Sequence, residues 1–359
     1  MANNSPFTIT AFGSVKAADA FGTKKESNEP LQTSIPRFTL GSGFTVPADK
    51  SPESERGSPE VVSQGKKENK VLWGLKLLGS PWRAGTWTPA AKEELMERIK
   101  SYKPACDGVT EARVLLLGPV GAGKSSFISS VQSAFSGRVL NRAMVGSSTS
   151  SSFTKKLQSF TIRSSAEGSD CTSLVLCDTM GIGQGNATGL SIYDALCVIK
   201  GHVPEGHQFC AEEPVRSETV GFIRKPSLKD KIHCVVFVVD ANKIHSYPHT
   251  LSSTFQQLRE HISKLGVHQV ALLTHVDEVC SETSRDVSNV YRSPNILQLM
   301  TKAGTLLGMA TSYIVPVRNY SSQLELNENM DILLLGAVDH ILQYVNLHFQ
   351  DSAAENKAA

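Results

Sequence analysis

The sequence predicts an α/β protein built on a mainly parallel sheet with helices on both faces, and three observations carry that prediction. From residue 113 onward, short apolar runs of strand length alternate with segments of helical period. Three of the runs, 172–179, 232–241 and 268–277, are near-continuous in apolar residues, the pattern of parallel strands buried on both faces. The first run, ARVLLLG at 112–118, passes through a glycine-rich turn directly into a helical segment at 124–135.

The elements follow in order. Residues 1–70 are rich in Ser, Pro, Gly, Thr and Asn, and their apolar residues occur singly. Such a segment buries too little apolar surface to offset the entropy of ordering it, so it is expected to be disordered. Residues 71–104 form a bridge and a helix. The bridge holds all three tryptophans, Trp73, Trp82 and Trp87, whose large apolar area is expected to dock the chain onto the domain. Thr88-Pro89 opens the helix as N-cap and first helical residue, Leu95, Ile99 and Tyr102 make its apolar stripe, and Lys103-Pro104 ends it.

The main domain is read over residues 105–350, and 351–359 as a disordered tail. Within the domain, LQSFTIRS at 157–164 alternates like an edge strand, and TSYIVPVRN at 311–319 supplies a sixth strand. Helical patterns fill 250–265, 293–308 and 328–348. The long connection from 183 to 230 carries one further helical pattern, LSIYDALCVIKG, and a mixed-charge loop that reads as solvated surface.

Composition narrows the function classes. Thirty-six Lys and Arg against 34 Asp and Glu leave a net charge of +2, against the basic surface that nucleic-acid binding by bulk charge requires. No apolar run reaches the roughly 20 residues of a membrane-spanning helix. No secretory signal or lipidation motif is seen at either end. Cys171, Cys177 and Cys234, in or beside strand runs, read as buried thiols of a reducing compartment. The expectation is a cytoplasmic globular protein.

The strongest motif is Gly118-Pro119-Val120-Gly121-Ala122-Gly123-Lys124-Ser125, a match to G-x-x-x-x-G-K-[ST] between a strand and a helix. Backbone N–H groups of such a loop make an anion nest, and the following helix adds the positive end of its dipole. Gly118, Val120, Gly121, Ala122 and Gly123 form the cradle. Lys124 is expected at the β- and γ-phosphates, Ser125 at Mg²⁺, and Ser126 on the polar rim. This makes the fold a phosphate-loop NTPase of small-GTPase type, with a six-stranded sheet.

Three further elements point to guanine. Asp178-Thr179-Met180-Gly181 ends a strand, where Asp178 would hold Mg²⁺ through a water and the Gly181 N–H would sense the γ-phosphate. Thr274-His275-Val276-Asp277 ends another and resembles the guanine-reading [N/T]-K-x-D motif. A carboxylate at Asp277 accepts from guanine N1–H and N2–H₂, a donor pair that adenine lacks. His275 stands where the usual lysine covers the base. After the last strand, Arg318-Asn319-Tyr320-Ser321 takes the place of the loop whose backbone meets guanine O6, with Asn319 the candidate contact. The switch threonine that meets Mg²⁺ and the γ-phosphate is expected in 145–156, as Thr149 or alternatively Thr154.

These motifs together resemble the interferon-induced protein 44-like family. The runs VLLLGPVGAGKSSF, MVGSSTS, LCDTMG, PSLKDKIHCVVFVVDA, VALLTHVD and NYSS carry the resemblance, from about residue 82 to about 348. It implies a GTP-binding domain of a cytoplasmic protein linked to interferon responses, innate immunity and antiviral defence. Longer members have a folded N-terminal domain where this sequence has residues 1–70 and the bridge.

Hydrolysis is expected to be slow or conditional. Ile182 stands where small GTPases place the water-orienting glutamine, and Gln184 is the nearest substitute. Val120 would crowd an arginine finger. Dimerisation across the nucleotide would be one way to supply a missing group. The readings left open are a GTP-controlled switch or assembly factor with a possible GTPase activity, a nucleotide-stabilised non-catalytic scaffold, and an ATP-dependent enzyme, which Asp277 argues against. Protein partners are not specified by the sequence.

Overall fold

The computed structural model describes residues 76–140, 154–164, 171–183 and 189–358. The segment 1–70, Trp73, Thr149 and Gln184 lie outside the described residues.

Thr88 caps helix α1 (Pro89–Ser101) by accepting from the Ala91 N–H, with proline at the first helical position. Its inward residue Ile99 is fully buried. Strand β1 (Ala112–Leu117) leads through the glycine turn into helix α2 (Lys124–Ser136). Strands β2 (Gln158–Arg163) and β3 (Cys171–Asp178) follow, then helix α3 (Ile192–Ile199). Strand β4 (Cys234–Asp240), helix α4 (His249–Lys264) and strand β5 (His268–Thr274) come next. The chain closes with the short helix α5 (Ser281–Arg285), helix α6 (Pro294–Leu307), strand β6 (Ile314–Pro316) and helix α7 (Glu328–Ala358).

The six strands form one sheet in the order β2-β3-β1-β4-β5-β6. Only β2 runs antiparallel, against β3, and every other pairing is parallel. The apolar runs end up where their composition demands. All seven residues of β4 are buried, and six of the seven of β5. The edge strand β2 is mostly half-exposed, as its alternation predicts. Helix α7 packs against α1 and α2 on one side of the sheet, and α4 packs against α3 and α6 on the other. This places the C-terminal ends of β1, β3, β4 and β5 along one edge, where open α/β sheets hold their ligands.

The bridge docks by its aromatics. Trp82 meets Tyr291 edge-on at 5.2 Å between ring centroids, and Trp87 lies 5.9 Å from the same ring. The Arg83 guanidinium stacks over both Trp82 and Tyr291 and donates to the Ile314 and Thr311 carbonyls.

Two expectations are corrected. Helix α7 continues to residue 358, through the stretch read as a tail from 351. Its alanines there, Ala353 and Ala354, favour continuation of a helix that is already nucleated. Cys177 and Cys234 are buried thiols, but Cys171 is exposed. It opens β3 ahead of Leu174, the first residue paired with β1, and its strand partner is Arg163 at the end of edge strand β2.

Candidate nucleotide site

The phosphate loop is shaped by close backbone approach. A Cβ on Gly118 would stand 2.1 Å from the Val238 carbonyl oxygen, so only glycine lets β1 pass β4 at this point. Gly121 and Gly123 have φ of +72° and +90°, the left-handed region that glycine enters without steric cost. Gly123 is the N-cap of α2, and its carbonyl accepts from the Asn319 side-chain amide at 3.2 Å. Ala122 and Lys124 are buried, and Ser126 is half-buried on the first turn of α2.

Lys124 folds over the loop that precedes it. Its Nζ donates to the carbonyls of Gly118 at 3.0 Å and Pro119 at 3.1 Å. Burial pulls the ammonium below the usual lysine range, and the Asp178 carboxylate opposes that pull. Asp178 is buried at the end of β3. Burial raises its carboxyl above the usual range, against the charge of Lys124 and the bonds from Ser125, Thr154 and the Thr179 N–H.

Three side-chain oxygens converge beside the loop. Ser125 Oγ donates to Asp178 Oδ2 at 2.5 Å, and Thr154 Oγ1 donates to the same oxygen at 3.2 Å. The two hydroxyls are 3.2 Å apart. An all-oxygen set of this kind, next to an anion nest, suits a hard divalent cation such as Mg²⁺. It brings Thr154, the alternative switch threonine, to Ser125 and Asp178.

The Asp178–Gly181 segment leans on the phosphate loop. The Ile182 N–H donates to the Gly118 carbonyl at 2.9 Å. A Cβ on Gly181 would stand 2.7 Å from the Val120 side chain and 2.8 Å from its backbone nitrogen. Val120 therefore packs on Gly181, and the Ile182 side chain is buried. No polar group at position 182 reaches outward.

The base end is assembled from three strand ends. Thr274 is fully buried, its hydroxyl 2.8 Å from the Ala122 carbonyl and 3.1 Å from that of Val239. It thereby ties β5 to the phosphate loop and to β4. His275 has a φ of +57°, rare for a residue with a Cβ. Its Nδ1 lies 3.2 Å from Asp240 Oδ1. Burial lowers the imidazole's proton affinity, but the bond to Asp240 and the charges of Asp240, Glu278 and Asp277 more than offset this, so its pKa is raised.

Asp277 is ion-paired through Oδ2 to Arg318 Nε at 3.2 Å, and Arg318 Nη1 donates to the Ser284 carbonyl at 2.9 Å. Asn319 turns its amide to Gly123, and its Oδ1 is buried with no hydrogen-bond partner among the described residues. Tyr320 fixes this loop from below. Its N–H donates to Ser130 Oγ, and its hydroxyl donates to buried Asp331, which Lys92 also pairs.

The structure thus brings Gly118, Val120, Gly121, Ala122, Gly123, Lys124, Ser125, Asp178, Gly181, Thr274, His275, Asp277 and Asn319 to one edge of the sheet. Sequence reasoning missed Asp240, Lys243 and the pairing role of Arg318. A signal existed: FVVDANK places a carboxylate and a lysine at the C-terminal end of the strand next to β1.

No family model matches the chain. It is 37% identical over 269 residues to interferon-induced protein 44-like of Homo sapiens, covering 75% of this chain and 59% of that protein. It is 35% identical over 257 residues to interferon-induced protein 44 of Mus musculus, covering 72% of this chain and 60% of that one. The resemblance read from the motifs is therefore shown over about three quarters of the chain, which spans about 60% of the length of these relatives. Among solved structures, a dimerization-deficient variant of Toc33 from Arabidopsis thaliana aligns at 15% identity and a TM-score of 0.35, over 72% of this chain and 93% of that one. Era in complex with MgGDPNP and a 16S ribosomal RNA segment aligns at 14% identity and a TM-score of 0.34, over 65% of this chain and 56% of that one. The fold assignment rests on the strand order and the phosphate loop described above.

Proposed function

We propose that this chain binds GTP and GDP with Mg²⁺ and acts in the cytoplasm as a nucleotide-controlled switch or assembly factor of the interferon-linked innate immune and antiviral response. The observation that carries the nucleotide reading is the convergence of Ser125, Thr154 and Asp178 beside Lys124, with Thr274 tethering the Asp277 motif to Ala122. One structure thereby couples the phosphate end to the base end. The relatives' names support the interferon link.

Each residue has a distinct task in this reading. The loop from Gly118 to Lys124 offers N–H donors and the α2 dipole to the phosphates. Lys124 exchanges the Gly118 and Pro119 carbonyls for phosphate oxygens. Ser125, Thr154 and Asp178 would hold Mg²⁺, which would supply positive charge to offset that of the phosphates. Asp277 reads guanine N1–H and N2–H₂. Gly181 carries the γ-phosphate state into the segment packed on Val120.

Hydrolysis is slow or conditional in this reading, because Ile182 turns inward and Val120 is packed against Gly181. The same observation favours a second reading, a nucleotide-stabilised scaffold without turnover. Equilibrium titration of the intact chain with GDP, a GTP analogue and ATP, with and without Mg²⁺, tests the binding claim. Guanine-selective binding that Mg²⁺ strengthens, and whose Mg²⁺ dependence Thr154→Ala reduces, is expected. Equal binding of ATP refutes it. Turnover per molecule that rises with protein concentration supports a nucleotide-dependent homodimer. No turnover at any concentration, with partner affinity equal in the GDP and GTP forms, selects the scaffold.

A further inference from the structure

Asp240 ends β4 beside the phosphate-loop strand and is 3% exposed. A carboxylate at that depth requires partners, and its two oxygens have different ones. Oδ1 lies 3.2 Å from His275 Nδ1 and accepts from the Asn242 N–H at 2.9 Å. Oδ2 lies 3.4 Å from Lys243 Nζ. The Asn242 side-chain amide in turn donates to Glu278, which fastens the turn after β4 to the segment that carries Asp277.

The position of the ammonium is the informative part. Lys243 Nζ stands 3.4 Å from where a Cβ on Gly121 would lie. It is therefore at the lip of the phosphate loop, reached from the end of β4. At the end of β5, His275 stands where the guanine-reading pattern has a lysine, so the motif itself brings no ammonium to this edge of the sheet. The His275 imidazole is turned to Asp240, its Nδ1 3.2 Å from Oδ1.

We infer that Lys243 supplies the phosphate-loop cation that Thr274-His275-Val276-Asp277 lacks, with Asp240 holding its ammonium at Gly121 and His275 holding Asp240. Lys243 is thus a nucleotide-binding residue that acts on the phosphate side of the site, and Asp240 and His275 are its positioning residues. The assignment rests on the guanine-nucleotide reading above and names one more contact within it. The carboxylate serves two purposes at once. It offsets the positive charge that a second cation would add near Lys124, and it fixes the direction in which the long lysine stem leaves β4.

The test is a set of dissociation constants for GDP and for guanosine, measured on the intact chain and its variants. Lys243→Ala and Lys243→Met are expected to weaken GDP about five- to tenfold, the range for a charge-assisted contact at a partly exposed site. Guanosine, without phosphates, is expected to bind all of them alike. Lys243→Arg is expected to retain GDP affinity. Adding His275→Lys to Lys243→Ala is expected to restore part of the loss, because the neighbouring Thr274 already touches the phosphate loop at the Ala122 carbonyl. A merely structural role for Lys243 predicts equal loss for GDP and guanosine and no rescue, and either result overturns the assignment. Unchanged GDP affinity in Lys243→Ala overturns it while the nucleotide reading stands. Absence of GDP binding by the intact folded chain overturns both.

Discussion

The phosphate end and the base end of the site are built on different principles. At the phosphate end the working parts are backbone: Gly118 against Val238, Gly121 and Gly123 in the left-handed region, Gly181 against Val120. At the base end they are side chains matched in pairs, Asp277 with Arg318 and His275 with Asp240, and Asp240 also holds Lys243, which reaches back to Gly121 of the phosphate loop. Backbone geometry leaves no room for substitution, because a Cβ at 2.1 Å from a carbonyl oxygen has nowhere to go. Paired charges admit exchange, because a cation can arrive from a neighbouring strand end. The difference teaches why the first end reads as an unbroken motif and the second as a variant one.

Substitutions at the two ends break this comparison in different ways. Gly118→Ala is expected to cost about 3 kcal/mol of unfolding free energy or more, since the clash is with backbone. Denaturant unfolding measures it, and a cost below 1 kcal/mol (roughly the surface-substitution range) would show that β1 and β4 separate easily. Lys124→Met is expected to weaken GDP by about 100-fold through loss of a charge-assisted phosphate contact, with the chain still folded. Binding calorimetry gives that number directly.

The base end is expected to respond more softly. Arg318→Ala removes the partner of Asp277 and the bond to the Ser284 carbonyl, and is expected to cost about 1–2 kcal/mol of stability. An equal loss in an Asp277→Asn background would show that the pair contributes nothing.

The smallest effect concerns pH. His275 faces Asp240, Glu278 and Asp277, with Lys243 on the far oxygen of Asp240, and its pKa is raised in the folded chain. A raised pKa means that the stabilisation is complete below the unfolded value of about 6.5 and fades as pH rises through the folded value. The melting temperature of His275→Gln is therefore expected to fall further below that of the intact chain at pH 6 than at pH 9. A gap that widens with pH contradicts the pairing.

Much of the fold was legible because strand burial and composition agree. The continuous apolar runs of β4 and β5 became the buried centre of the sheet, and the alternating run became edge strand β2. The phosphate loop was legible because its glycines are dictated by local geometry. Thr154 remained one of two candidates, since a polar loop such as 145–156 does not say which hydroxyl turns inward. FVVDANK marked Asp240 and Lys243 only by their place at a strand end, and their pairing was not legible because it lies in juxtaposition: β4 and β5 are neighbours in the sheet, and only then do Asp240 and His275 meet. The extension of α7 past residue 351 was missed because its last turns lack an apolar stripe.

The central claim, that Asp277 reads guanine in a working phosphate-loop site, is tested most directly by base exchange. The dissociation constants of GDP and xanthosine diphosphate should be measured for the intact chain and for Asp277→Asn in Mg²⁺. The account predicts tight GDP and weak xanthosine diphosphate binding by the intact chain, and the reverse order in the variant, because an amide offers a donor to the extra xanthine oxygen. An Asp277→Asn chain that keeps its preference for GDP would contradict the account.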